Sequence, residues 1–344
     1  MAGRGGHGRV WASVLPGLAE RVRLDVRDRD AAARGRRPDV WLADGHQALP
    51  ALGPEPLVVQ VHEAIWRDPE LAGMLDPAFA EVLERNVSAA VRAAAVVITA
   101  AESARRDLVA AYELDPARVE VVPHGVDLER FRPGLDGGPE IVAEAGAAQG
   151  APYVVFVGVL HPRKNLSAVR AAIGALAQAG FPHVLAVVGA PAGDRADPSA
   201  LEEEAVAEIP DAPGRIARLR AVSDEELAQV LAGAAAFCLP SLYEGFGLPC
   251  LEAMACGAPV VVSDRGALPE LVGDAGLVVS PDADAVRDAL ARVVSEPALA
   301  DDLRVRARAR AETFPWSRTV DGWLAALERA ASGDSDMREA TLPE

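Results

Sequence analysis

Two glutamates, Glu244 and Glu252, lie in the run Tyr243-Glu-Gly-Phe-Gly-Leu-Pro-Cys-Leu-Glu-Ala-Met-Ala-Cys-Gly-Ala-Pro-Val. Pro249 suits the first position of a helix and Gly257 its end, so a helix over Pro249–Cys256 is expected, with Leu251, Met254 and Ala255 facing a sheet. Gly245 and Gly247, around Phe246 and before Leu248, let the backbone approach a ligand with N–H groups pointing outward. Such a helix start favours phosphate or another oxygen-rich ligand. Two carboxylates are poor company for a bare phosphate. They suit the hydroxyls of a sugar and a ribose on either side of a diphosphate. For the turn taken alone, a plain strand–turn–helix unit with solvated acids is the competing reading. A second cluster, His161-Pro-Arg-Lys, follows the apolar run Tyr153–Val157 and Gly158, and Lys164 is the single lysine among 34 Lys and Arg. Arg163 offers a planar fork and Lys164 a mobile point charge, which makes the two complementary rather than redundant. His62 ends the run Leu57–Val61, where open α/β sheets place ligand-binding residues. No Asp-x-Asp metal motif stands near these residues, and no metal or cofactor is expected.

These residues need a scaffold, and the apolar pattern supplies one. In the first part of the chain the Val-rich runs Val22–Val26, Asp39–Ala43, Leu57–Val61, Val96–Thr99 and Val119–Val122 are of strand length. Helical patterns over Pro69–Ala95 and Glu102–Tyr112 separate them. Strands alternating with helices predict a parallel sheet covered on its faces. Residues 132–150 read as a linker. A second alternation follows: strand Tyr153–Val157, helix Asn165–Ala179, strand Val184–Val188, then a helix opened at Ser223 by a capping box with Glu226, and strands Ala236–Leu239 and Val260–Ser263. Helices dominate from Asp282 to about residue 331. The expected organisation is an α/β domain over 1–131, a linker over 132–150, a second α/β domain over 151–313, a helix over 314–331 and a flexible tail over 332–344. A cleft is expected between the two domains.

Composition narrows the classes. A length of 344 residues suggests two domains, and 50% hydrophobic with 25% charged residues permits real cores. A net charge of −17 argues against a nucleic-acid partner. Residues 1–40 hold nine Arg against five acids, a local +4, which leaves −21 for the rest. That basic segment reads as a solvated edge, with an anionic acceptor or a peripheral contact with the inner membrane face as the other option. Cys238, Cys250 and Cys256 show no metal or disulfide spacing, and no apolar run nears the roughly 20 residues of a membrane span. A cytoplasmic, reduced protein is expected.

Read as Glu-x7-Glu, the first run resembles the signature of the retaining GT-B glycosyltransferases of family GT4. More of the chain resembles that family in order: Val122-Pro-His-Gly-Val-Asp-Leu-Glu-Arg-Phe-Arg-Pro, Phe156-Val-Gly-Val-Leu-His-Pro-Arg-Lys-Asn, Gly266-Ala-Leu-Pro-Glu-Leu-Val-Gly-Asp-Ala-Gly and Phe314-Pro-Trp-Ser. The resemblance implies two Rossmann-like domains of GT-B type, 1–131 binding the acceptor and 151–313 the nucleotide sugar, with a C-terminal helix, 314–331, crossing back to the first. It implies that Arg163 and Lys164 contact the donor diphosphate, whose charge grows as the glycosidic bond breaks, so that fixed cations favour the transition state. It implies that His62, in His62-Glu63 where the family has His-Asp, lies beside the donor sugar. It implies that Gly5-Gly6-His-Gly-Arg9 is the glycine loop facing donor phosphate; the family has a strand before this loop, and four residues precede it here, so either the strand is missing or the chain starts further upstream. His124 is read as a turn residue and His161 as near phosphate.

The expected activity is retaining transfer of a hexose of mannose, glucose or GlcNAc type from a nucleotide-diphosphate sugar to a hydroxyl of a glycan, a lipid-linked sugar or a small molecule. Catalysis is assigned to His62, Glu244, Arg163 and Lys164. Donor binding is assigned to Gly5, Gly6, Gly158, Arg163, Lys164, Glu244, Gly245, Phe246, Gly247, Leu248 and Glu252. The alternatives are a catalytically silent GT-B partner subunit and a sugar-nucleotide epimerase on the same architecture; a hydrolase using Glu244 and Glu252 as an acid pair ranks lower.

Overall fold

The computed structural model describes residues 6–26, 37–189, 209 and 212–333. The chain forms two compact units. The first draws its described residues from 1–72, 77–125 and 316–344, and the second from 73–76 and 126–315.

The first unit holds α1 (Gly6–Ala19), β1 (Trp41–Asp44), β2 (Leu57–Gln60), α2 (Pro77–Ala93), β3 (Val96–Thr99), α3 (Glu102–Tyr112) and β4 (Val119–Val121). Its strands pair in the order β1-β2-β3-β4, all parallel. β2 and β3 are buried along their whole length, as expected of strands covered on both faces. The strand expected over Val22–Val26 does not form: residues 23–26 have no regular structure and Val26 is 78% exposed. Its alternating arginine and aspartate find no ladder partner among the described residues. The long helix expected over Pro69–Ala95 starts only at Pro77, because Pro69, Gly73 and Pro77 leave the stretch ahead of it to the short 3₁₀ turn Ala72–Met74.

The second unit begins with α4 (Gly138–Glu144), a helix inside the stretch expected to be a linker. It continues with β5 (Tyr153–Val157), α5 (Leu166–Gln178), β6 (Val184–Val188), β7 (Ile216–Leu219), α6 (Asp224–Ala232), β8 (Ala236–Leu239), α7 (Leu248–Ala255), β9 (Val260–Ser263), α8 (Leu268–Val272), β10 (Leu277–Val279), α9 (Ala283–Ser295) and α10 (Pro297–Ala311). The six strands run β10-β9-β8-β5-β6-β7, again all parallel. The order reverses between β5 and β8. Loops leaving the C-terminal ends of these two strands therefore diverge, and open α/β sheets bind ligands at such a point.

The last helix, α11 (Trp316–Ser332), returns to the first unit. Trp323 is fully buried there and meets Trp11 of α1 edge-on, with centroids 5.0 Å apart. Thr319 Oγ1 donates to the Pro123 carbonyl at 2.8 Å, and Arg329 pairs with Glu120 of β4. Burial of large apolar side chains of this kind contributes about 1.5–3 kcal/mol each. None of the described helices is long and apolar enough to cross a membrane.

Candidate active site

The second unit brings Arg163, Lys164 and Glu244 together. After β5 the chain passes Gly158 and enters the 3₁₀ turn Pro162–Lys164, which the His161 ring caps by accepting from Arg163 N at 3.1 Å. Asn165 ends the turn in the left-handed region, with φ 54°, and opens α5. Its amide donates to the Pro240 and Pro281 carbonyls at 3.1 and 2.7 Å, so the turn is tied to the loop after β8 and to the loop after β10. Lys164 is thereby aimed at that loop, and Nζ lies 2.5 Å from Glu244 Oε1. Arg163 Nη1 donates to the Tyr243 carbonyl at 2.7 Å and stands 3.8 Å from Glu244 Oε2. Ser241 Oγ donates to Glu244 Oε1 at 2.6 Å, and Ser263 Oγ at the end of β9 holds the Ser241 carbonyl at 2.5 Å.

Lys164 and Glu244 are both buried, at 9% and 6% exposure. Burial alone would push the Glu244 carboxyl upward. The Lys164 and Arg163 charges, with hydrogen bonds from Lys164 and Ser241, outweigh it and hold the carboxyl below its ordinary value. Glu244 is thus a carboxylate. Two cations around one anion leave a net positive charge, which suits an anionic ligand carrying more than one charge.

The helix beside this cluster forms one residue earlier than expected. α7 begins at Leu248, with Gly247 before it at φ +100°, a conformation that favours glycine. Gly266 has φ +56°, and a Cβ there would lie 2.4 Å from the Glu244 carbonyl. Ala267 N donates to that same carbonyl at 2.9 Å, so the segment after β9 sits directly against the Glu244 backbone. Glu252 is buried one turn into α7, at 2% exposure. At the far end Arg308 of α10 donates to the Ala255 and Phe131 carbonyls at 2.8 and 3.1 Å, anchoring the helix's C-terminus. Gly245 and Phe246 lie in the turn between, and the Phe246 ring packs on Phe314 with centroids 6.2 Å apart. The three cysteines are free and buried, and burial raises each thiol, Cys256 to about 12.

Sequence reasoning missed Ser241 and Asn165. Ser241 carried a weak signal, three residues ahead of the glutamate it binds; the partners of Asn165 are set by the tertiary fold alone.

In the first unit, His62 lies just beyond β2 and is buried at 8% exposure. Its ring lies between those of His46, at 5.4 Å, and His124, at 5.5 Å. His124, read from the sequence as a turn residue, is 3% exposed and also meets Trp316 of α11 at 6.4 Å. Gly6 opens α1, so this part of the expected glycine loop is helical; Gly5 lies outside the described residues, as do residues 334–344 of the expected tail.

Known proteins resemble both units. Residues 139–310 match the family described as glycosyl transferases group 1, and residues 4–130 match glycosyltransferase family 4. Over 302 residues the chain is 34% identical to D-inositol 3-phosphate glycosyltransferase of Mycolicibacterium paratuberculosis, covering 84% of this chain and 64% of that one. The chain thus spans somewhat less than two thirds of that relative. Sucrose-phosphate synthase from Thermosynechococcus elongatus superposes with TM-score 0.66 at 23% identity, over 81% of this chain and 69% of the other. Alr3699/HepE from Anabaena, solved in complex with UDP and glucose, superposes with TM-score 0.64 at 20% identity, over 80% and 72%.

Proposed function

As the chain belongs to the glycosyl transferases group 1 family and has the GT-B fold, we propose that it is a retaining glycosyltransferase acting on a nucleotide-diphosphate sugar. The reading extends to a hexose donor of mannose, glucose or GlcNAc type and to a hydroxyl acceptor on a glycan, a lipid-linked sugar or a small molecule. The UDP and glucose bound to the Anabaena protein support the donor class, and the named function of the inositol-phosphate relative supports glycosyl transfer.

The observation that carries the proposal is the cluster of half-buried Arg163 with buried Lys164 and Glu244 at the strand-order reversal of the second unit. In the proposed reaction the acceptor oxygen bonds to the anomeric carbon while the bond from that carbon to the diphosphate oxygen breaks. The acceptor's proton passes to the departing phosphate on the same face, which retains configuration. The electron pair of the broken bond stays on the diphosphate. Arg163 and Lys164 stand in fixed positions to receive the added charge, and preorganised cations of this kind stabilise a transition state more than a ground state. No metal is assigned to this step. Gly158, Gly245, Phe246, Gly247, Leu248 and Glu252 are assigned to holding the donor. His62 is assigned to the reacting sugar.

A hydrolytic role for Glu244 as a proton donor is disfavoured, because its surroundings keep it ionised. The test is thermal melting in the presence of UDP-, GDP- and ADP-sugars, since a bound ligand raises apparent stability by mass action. At least one donor is expected to raise Tm in the wild type and to do so far less in Lys164→Met. Failure of every donor to shift the melt overturns the assignment.

A further inference from the structure

We propose that His46 is a positioning residue for His62: its ring fixes the plane in which the His62 imidazole meets the sugar. This rests on the role given to His62 above. β1 and β2 pair in parallel with Trp41 opposite Leu57 and Asp44 opposite Gln60, and Gly45 N continues the ladder to the Gln60 carbonyl at 2.8 Å. Two residues further along each chain stand His46 and His62, still at the same offset. They project side by side beyond the C-terminal edge of the sheet, and their rings stack at 5.4 Å with planes 28° apart.

His46 is itself held from three directions. Its backbone N donates to Asp44 Oδ1 at 2.9 Å, and the same oxygen lies 3.3 Å from His46 Nδ1. Asn86 of α2 donates from Nδ2 to the His46 carbonyl at 3.0 Å. The Trp66 ring meets His46 edge-on, with centroids 6.0 Å apart. Trp66 does not move freely, because its Nε1 donates to Glu84 Oε2 at 3.0 Å and to the Tyr112 hydroxyl at 3.1 Å. Arg67 closes that network by donating from Nε to Glu84 Oε2 at 2.8 Å and lying over the Tyr112 ring. A run of contacts therefore leads from an ion pair anchored in α2 and α3, through Trp66 and His46, to His62. His62 also meets His124 edge-on, with centroids 5.5 Å apart, so a second ring limits its movement.

A side chain that acts by orienting another has a distinctive kinetic mark: its loss matters only while the other is present. His46→Ala is expected to lower kcat by about 10- to 100-fold, the scale of a small misplacement of a reacting group, with KM for the donor nearly unchanged. His46→Phe, which keeps a flat ring in the stack, is expected to recover most of that loss. In a His62→Ala background the His46→Ala change is expected to cost nothing further. In wild-type protein and in His46→Ala, long-range nitrogen–proton NMR of the His62 imidazole is expected to differ, with melting temperatures showing both to be folded. Additive losses in the double variant, or unchanged His62 imidazole signals in His46→Ala, overturn the proposal. Wild-type turnover in His62→Ala would instead reject the role given to His62, and the imidazole signals would still decide whether His46 orients it.

Discussion

Replacing Lys164 by Met tests the central cluster. The substitution keeps most of the side-chain volume and removes one cation from a buried pair whose atoms are 2.5 Å apart. Breaking a buried pair from one side costs about 3–5 kcal/mol, because the remaining charge is left in a poor solvent. Here Arg163 at 3.8 Å and the Ser241 hydroxyl stay behind, so the lower end applies, about 3 kcal/mol. For a unit of this size that is a fall in Tm of about 6–12 °C. Transfer should fall about 10²- to 10³-fold, the usual cost of one preorganised charge-stabilising group. A second change, Glu244→Gln, should restore most of the lost stability and none of the activity, since it removes the stranded anion without replacing the cation. The pH response has a fixed sign. The folded-state carboxyl of Glu244 lies below its unfolded value, so its contribution is complete above the ordinary carboxylate range and is lost as pH falls through the lowered value. Lys164→Met should flatten that acid limb. Calorimetry across pH and initial-rate assays measure these quantities. A variant that melts like wild type, or one that transfers at the wild-type rate, refutes the reasoning.

Three further outcomes are expected. Gly266→Ala places a methyl 2.4 Å from the Glu244 carbonyl at a φ of +56°; a left-handed Ala alone costs about 1–2 kcal/mol, and both Tm and the donor-induced shift should drop together. In Glu84→Gln the carboxylate that Arg67 hydrogen bonds hold below its ordinary value, helped by Trp66 and Tyr112, is gone. Both partners of the Arg67–Glu84 pair are more than a third exposed and screened by solvent, so stability at neutral pH should fall by about 0.5–1 kcal/mol, and the loss on acidification should become shallower, as read by urea melts across the acid range. Exhaustive treatment with EDTA should leave the initial transfer rate unchanged, because the charge on the departing diphosphate is assigned to Arg163 and Lys164; loss of the rate, restored by added Mg²⁺ or Mn²⁺, would contradict that assignment.

Much of this architecture is legible in the amino-acid order, for a physical reason. Strands buried on both faces read as unbroken apolar runs, and Tyr153–Val157, Val184–Val188, Ala236–Leu239 and Val260–Ser263 form with those bounds. The capping box at Ser223 forms both of its hydrogen bonds. The outermost strands of the second sheet are harder to see. Ile216–Leu219 is interrupted by Arg218, and Leu277–Val279 has three residues, too few for a pattern. The Glu-x7-Glu run and the Arg-Lys pair were visible because their local surroundings, glycines and a buried strand, are unusual. That they meet was not visible, since the contact joins residues 80 positions apart. His46 was missed for a subtler reason. Its relation to His62 follows from strand register, and register emerges only when the two runs ending in these histidines are laid side by side.

The reversal of strand order between β5 and β8 also bears on when the protein becomes competent. Lys164 leaves the ribosome well before Glu244, and β6, β7 and α6 lie between them in the chain. A nascent chain that stops short of β8 carries the cation without its carboxylate, and non-local contacts of this sort are slow to form. A small molecule bound at the completed pair would then stabilise only chains that extend past Glu244.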